Sequence, residues 1–187
     1  LHELVVGGLV QLLELGQKVQ YAGIGQPVAI LELLAGDAPA AERIMREAHE
    51  ILNAAGERGF LSTVSALLGL ALARQGRYDE ADRFADESFE AGSDDDVVTQ
   101  IYWRIVKARV EAAKGDLDAA ARLAADVVEL TNRTDDTFDG PLALMDVVDF
   151  LDLARRRPVL ERALAETAGK GNVVSAEQIR AKLAALP

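Results

Sequence analysis

The chain has 187 residues, half of them hydrophobic, enough for one sizeable core or a short stack of repeated units. A formal net charge of −11 leaves no basic footprint for displacing counterions from phosphates, so neither a nucleic acid nor an anionic membrane is expected as partner. Cysteine is absent, which excludes disulfides and thiolate metal sites and suits a reducing cytoplasm, the expected location.

The first residue is Leu1, so the chain is expected to be a piece of a longer or processed one. Residues 5–13 are apolar, but Gln11 and Glu14 interrupt them short of the roughly 20 residues of a membrane span. No basic segment precedes them to make a signal peptide. A first helix is expected over residues 3–15, weakened by Gly7 and Gly8. A second ends near Ala35, its start obscured by Gly23, Gly25 and Pro27. Further helices are expected at 38–55, 60–75, 79–91, 96–114, 117–132, 141–156, 159–168 and 173–186. Ser93 to Asp96 reads as a capping box for the helix that holds Trp103, and Asn172 or Ser175 as a cap for the last helix. No stretch alternates with period two for long enough to argue for a sheet.

These helices belong to an internal repeat. Gln75-Gly76-Arg77-Tyr78-Asp79-Glu80-Ala81 returns as Lys114-Gly115-Asp116-Leu117-Asp118-Ala119-Ala120, with an earlier copy at residues 35–41. A degraded copy at residues 157–163 has Pro158 where Gly stood. The turn positions 36, 76, 115 and 158 are spaced by 40, 39 and 43 residues. In each unit a Gly ends one helix by taking the left-handed conformation, an acid follows for the next helix N-terminus, and a small Ala permits close approach. Each unit is then a helical hairpin that must stack on its neighbours to bury both faces.

The second hairpin resembles a tetratricopeptide repeat. Leu68-Gly69 stands where that repeat carries its Leu-Gly pair, and residues 75–81 fit its turn and second-helix start. The third hairpin departs from it, with Arg104, Lys107 and Glu111 at positions the repeat fills with packing residues. The spacing also exceeds the usual repeat of about 34. Glu57 to Val64, Ala73 to Ala81, Gln100, Trp103-Arg104, Lys107-Ala108 and Lys170 to Ala176 resemble the C-terminal helical-repeat region of large bacterial, notably actinobacterial, signalling proteins. Those proteins are similar to nucleotide cyclases or ATPase-type regulators followed by such repeats. The resemblance spans about residues 30 to 186 and implies an all-α, right-handed solenoid of antiparallel hairpins. It would form one domain over residues 1–187, with about four repeats and a capping helix at 173–186.

Few residues invite chemistry. His2 and His49 are the only histidines, and neither has a second ligand or paired base in sequence reach. Asp94-Asp95-Asp96 lacks the alternation, Gly and late Glu of a calcium loop and reads as a solvated helix N-terminus. Asp135, Asp136 and Asp139 read as a polar inter-repeat loop. Gly23-Ile24-Gly25 and Gly169-Lys170-Gly171 lack the further residues of dinucleotide and phosphate loops, and Asn132-Arg133-Thr134 is a sequon without a secretory context. Arg155-Arg156-Arg157 is expected at a helix C-terminus before Pro158, offsetting exposed carbonyls. No catalytic residue, metal or cofactor is expected, and the chain is not expected to be an enzyme.

A protein or peptide partner is expected instead. Relative to the turn glycine, Thr63, Ala66, Leu70 and Arg74 would line a groove, joined by Tyr102 and Arg109 from the next hairpin. Trp103, Arg104 and Lys107 share the latter helix at neighbour spacings. One reading packs Trp103 and pairs Arg104 or Lys107 with acids such as Glu87 or Glu90. The other has the row grip a partner's carboxylate with aromatic and Arg anchors. The leading functional expectation is an interaction scaffold that regulates or localises a larger signalling or transcription-regulating chain. The alternatives are a small-molecule or peptide sensor controlling a linked domain, and a spacer that self-associates as a homodimer through the edge at Leu183, Ala184 and Leu186.

Overall fold

The computed structural model describes Leu12 and residues 16–133, 139–168 and 173–187. Among these residues every regular element is helical. The helices are α1 (Lys18–Ala35), α2 (Ala38–Ala55), α3 (Gly59–Arg74), α4 (Tyr78–Ala91), α5 (Val97–Lys114) and α6 (Leu117–Thr131). They are followed by α7 (Asp139–Val147), a 3₁₀ turn (Val148–Phe150), α8 (Leu153–Ala168) and α9 (Val173–Ala185). The helix expected over 3–15, His2, Asp135, Asp136 and Asn172 fall outside the described residues, Leu12 excepted.

The three turns at 36, 76 and 115 form as their residues dictate. Gly36, Gly76 and Gly115 take φ of +84°, +77° and +89°, a conformation that a Cβ disfavours. The amides at each Gly and the residue after it then turn back on the closing turn. Asp37 N donates to Glu32 O at 2.9 Å, Arg77 N to Leu72 O at 3.0 Å and Asp116 N to Glu111 O at 2.9 Å. Asp37 and Asp116 next cap the following helix, accepting from Ala40 N at 2.9 Å and Ala119 N at 2.8 Å. At the middle turn Arg77 stands in that place without a side-chain cap, and Asp79 and Glu80 supply first-turn acid instead.

The turns pair α1 with α2, α3 with α4 and α5 with α6, and α2 and α4 pack on the helices that follow them. The first helices of the pairs also touch in series, α1 with α3, α3 with α5 and α5 with α7. In the centre lies α3, buried at every residue from Leu61 to Ala73. Each of its buried leucines contributes roughly 1.5–3 kcal/mol of transfer free energy, so α3 anchors the array. Gly69 sits where a Cβ would stand 3.2 Å from Ala81 O, and Ala81 is fully buried, so small residues on both sides bring α3 and α4 together. Across the turn, Glu42 of α2 collects Gln75 Nε2 at 2.8 Å, Arg77 Nη1 at 2.7 Å and Arg46 Nε at 2.8 Å. Burial works against the Glu42 charge, but these three donors outweigh it and hold the carboxyl below its ordinary range.

Several expectations are corrected. Residues 23–27 do not interrupt a helix: α1 runs through Pro27, and at Gly25 the missing side chain makes room for Ile44 and Met45 of α2. The helix expected at 141–156 breaks at Leu151–Asp152, and the turn expected at 158 is not there. Pro158 instead lies six residues into α8, whose start is capped by Asp152 accepting from Arg155 N at 3.0 Å. Arg155-Arg156-Arg157 therefore opens a helix rather than closing one. Arg156 still caps carbonyls, but those of the preceding element, Leu151 O at 2.9 Å and Asp149 O at 2.8 Å. Asp96, not Ser93, caps α5, accepting from Thr99 N at 3.2 Å. Ser175 lies inside α9, and Asp139 is buried at the start of α7 rather than in a polar loop.

Candidate functional site

The residues expected to line one groove divide into a sealed layer and two places that solvent reaches. Ala66, Leu70 and Tyr102 have no exposed surface. Ala66 and Leu70 are core of α3, and the Tyr102 hydroxyl donates to the Asp139 carboxylate within that core. Thr63 is buried too and shares a 2.7 Å hydrogen bond with Thr99, which joins α3 to α5. Its edge lines an opening of about 520 Å³ beside Gln26, Phe60, Asp96 and Asp139.

Arg74 and Arg109 meet at the other end of the same layer. Both hold Asp146 of α7, a residue that sequence reasoning missed. Arg74 Nη2 donates to one carboxylate oxygen at 2.6 Å and its Nε to the other at 3.3 Å, and Arg109 Nη2 donates to that second oxygen. Arg74 Nη1 also caps Leu33 O at the C-terminal end of α1, whose last turn has no basic residue of its own. Asp146 thus ties α1, α3, α5 and α7 together at one point. Burial opposes its charge, yet the two guanidiniums prevail and hold the carboxyl below the ordinary range. A carboxylate so committed stays ionised as an acceptor and is a poor general base. The two arginines line a cleft of about 550 Å³ whose other walls are largely apolar, among them Leu33, Leu142 and Met145. From α9, Gln178 Nε2 donates to Leu34 O at the rim, and Lys182 pairs with Asp149 at 2.8 Å.

Trp103, Arg104 and Lys107 turn the opposite way, toward α4. Lys107 pairs with Asp82 and, at 2.6 Å, with Asp86, so its partners are a turn earlier on α4 than the Glu87 and Glu90 expected. Burial lowers the Lys107 proton affinity, but these carboxylates outweigh it and raise its pKa. Trp103 stands edge-on to Phe89 with ring centroids 5.2 Å apart, and the Arg104 guanidinium lies 4.1 Å over the indole. Gln100 orients both, accepting from Trp103 Nε1 at 3.1 Å and Arg104 Nη1 at 2.6 Å. Burial lowers the Arg104 pKa, with Asp126 and Asp94 acting in the other direction from a distance. Phe89 is 55% exposed although flanked by these groups. In sequence it continues the stripe of Ala81 and Ala85 at the next i+4 position, so its exposure was not legible there.

The remaining candidates lie away from these clusters. His49 is half-buried, hydrogen-bonded at 2.8 Å to Glu87 and edge-on to Phe84. Leu183 and Leu186 pack against the core, while Ala184 is exposed. Among the described residues no three His, Asp or Glu side chains gather as metal ligands, and no helix is long and apolar enough to cross a membrane. Comparison of the chain with protein-family models and with curated proteins gives no match.

Proposed function

We propose that the chain is a tetratricopeptide-like, right-handed α-solenoid that serves as a protein-interaction scaffold or regulatory module of a larger bacterial signalling or transcription-regulating protein in the cytoplasm. The repeated Gly turns, the paired helices and the serial contact of α1, α3, α5 and α7 support the architecture. The partner docks on the α4–α5 edge, not along α3. The observation that carries this choice is the Phe89–Trp103–Arg104 cluster, a half-exposed aromatic set beside a guanidinium that no carboxylate among the described residues neutralises directly. Gln100 and the indole fix these side chains beforehand, so binding costs little ordering entropy. A partner's carboxylate would find Arg104 donors beyond the Nη1 that Gln100 uses.

Capture from lysate of the producing cells, read by quantitative mass spectrometry, tests the proposal beside a Phe89→Ala, Arg104→Ala variant matched in melting temperature. A protein retained by the native chain and lost by the variant supports the scaffold and this edge. A protein retained equally by both removes the edge from the proposal, and specific retention by neither removes the scaffold.

A further inference from the structure

We infer that the cleft at Asp146 is a binding site for a small aliphatic monocarboxylic acid, recognised by Arg109 independently of any protein docked on the α4–α5 edge. Three observations on different aspects of the cleft converge. The first is charge. Two guanidiniums share one carboxylate and Lys182 at the rim is paired with Asp149, which leaves a single positive charge in excess within a wall that is otherwise mostly apolar. One anionic group balances it, and a dianion would reverse it.

The second is an asymmetry between the arginines. Each nitrogen of Arg74 is engaged, Nε and Nη2 on Asp146 and Nη1 on Leu33 O. Arg109 spends only Nη2 on Asp146, and its Nε is buried without an acceptor among the described residues. A guanidinium carries five N–H donors; Arg109 Nε is sealed from solvent, so an incoming carboxylate would be met by the Nη1 donors, which have no acceptor among the described residues. Its packing against Asp146 leaves those Nη1 donors for a second carboxylate bound in the cleft.

The third is the body of the cleft. About 550 Å³ lies within the range of small-molecule sites, and Leu33, Leu34, Leu142 and Met145 offer methyl and methylene surface rather than further donors. The ligand is therefore a carboxylate on an alkyl chain. Its chain would lie between α1 and α7, beneath the α9 residues Gln178 and Ala181 at the rim.

Isothermal titration calorimetry of the full chain against octanoate, 1-octanol, acetate and a short apolar peptide with a free C-terminal carboxylate tests this. Octanoate should bind, with at least tenfold weaker binding by acetate, which lacks the body, and by octanol, which lacks the charge. Arg109→Gln should weaken octanoate about tenfold or more, within the range for a lost hydrogen bond to a charged group. Because that substitution also disturbs Asp146, Ala181→Trp serves as a second variant: it fills the mouth from an exposed position without touching either arginine, and should abolish binding while the helical circular dichroism stays native. No heat from octanoate at roughly 1 mM, or equal binding of octanol, overturns the inference. So does binding of the peptide without octanoate, since the site would then read protein chain ends.

Discussion

Asp146→Asn is the sharpest probe of how the array is held together. The substitution keeps the shape of the side chain and removes the one charge that two guanidiniums share. Removing one partner of a buried ion pair costs about 3–5 kcal/mol, because the remaining charge is left uncompensated. Here the cost should fall near the lower end, about 3 kcal/mol. The Arg74 and Arg109 side chains keep 20% and 26% of their surface and can recover some hydration, and Arg74 retains Leu33 O. Urea unfolding followed by circular dichroism at 222 nm reads the difference as a lower midpoint with an unchanged slope. The pH dependence has a definite sign. The Asp146 carboxyl is held below its ordinary range in the folded chain, so its stabilisation is complete above the unfolded carboxylate value of about 3.9 and is lost as pH falls through the folded value. The native chain should therefore lose stability below about pH 4 more steeply than Asp146→Asn does. A variant within about 1 kcal/mol of the native chain, or one with the same acid limb, would show that the four helices do not depend on this carboxylate.

Three further outcomes are expected. Gly115→Ala should cost about 1–2 kcal/mol in the same assay, since nothing lies within 4 Å of the new methyl and the strain of φ +89° acts alone. The Tyr21 phenol is pushed up to about 12, chiefly by burial and then by its hydrogen bond and charge contact with Glu47. Spectrophotometric titration should accordingly show Tyr21 ionising late, and Glu47→Gln should bring it down. Lys107→Ala should lower stability by about 1 kcal/mol through the loss of Asp82 and Asp86, and Arg104→Ala should lower it by less, because Arg104 holds only Gln100 and the face of Trp103. If Arg104→Ala proves the more damaging of the two in thermal unfolding, that residue is structural.

Local chemistry made the three Gly turns legible in the sequence. Each needs only a residue that tolerates positive φ with an acid or Arg behind it, and these are written next to one another. Pro27 and Pro158 misled, because a proline signals a break through its own missing N–H, whereas α1 is held by burial on both sides of it, at Ala22 and Ala29, and α8 by burial beyond it, at Leu160 and Ala163. The Arg74, Arg109 and Tyr102 positions were found by counting from the turn, but their counterparts Asp146 and Asp139 were not. Both acids come from α7, where the 40-residue rhythm has faded, so no repeat position pointed to them. An acid inside the apolar run Leu142-Ala143-Leu144-Met145-Asp146-Val147 was the available sign of a buried charge with partners elsewhere. Counting from the turn also cannot tell a groove from a core: Ala66 and Leu70 face the same way as Arg74, yet the contacts of α3 with α1 and α5 close over them.

Site-specific photocrosslinking in the producing cells tests the scaffold proposal most directly. A benzophenone amino acid replaces Phe89, 55% exposed beside Trp103 and Arg104, and in a control chain replaces Leu117, 68% exposed at the start of α6. A discrete protein adduct at position 89, absent at 117 and lost when Arg104→Ala is added, is the result the account predicts. No adduct at 89, or the same adducts at both positions, would contradict it.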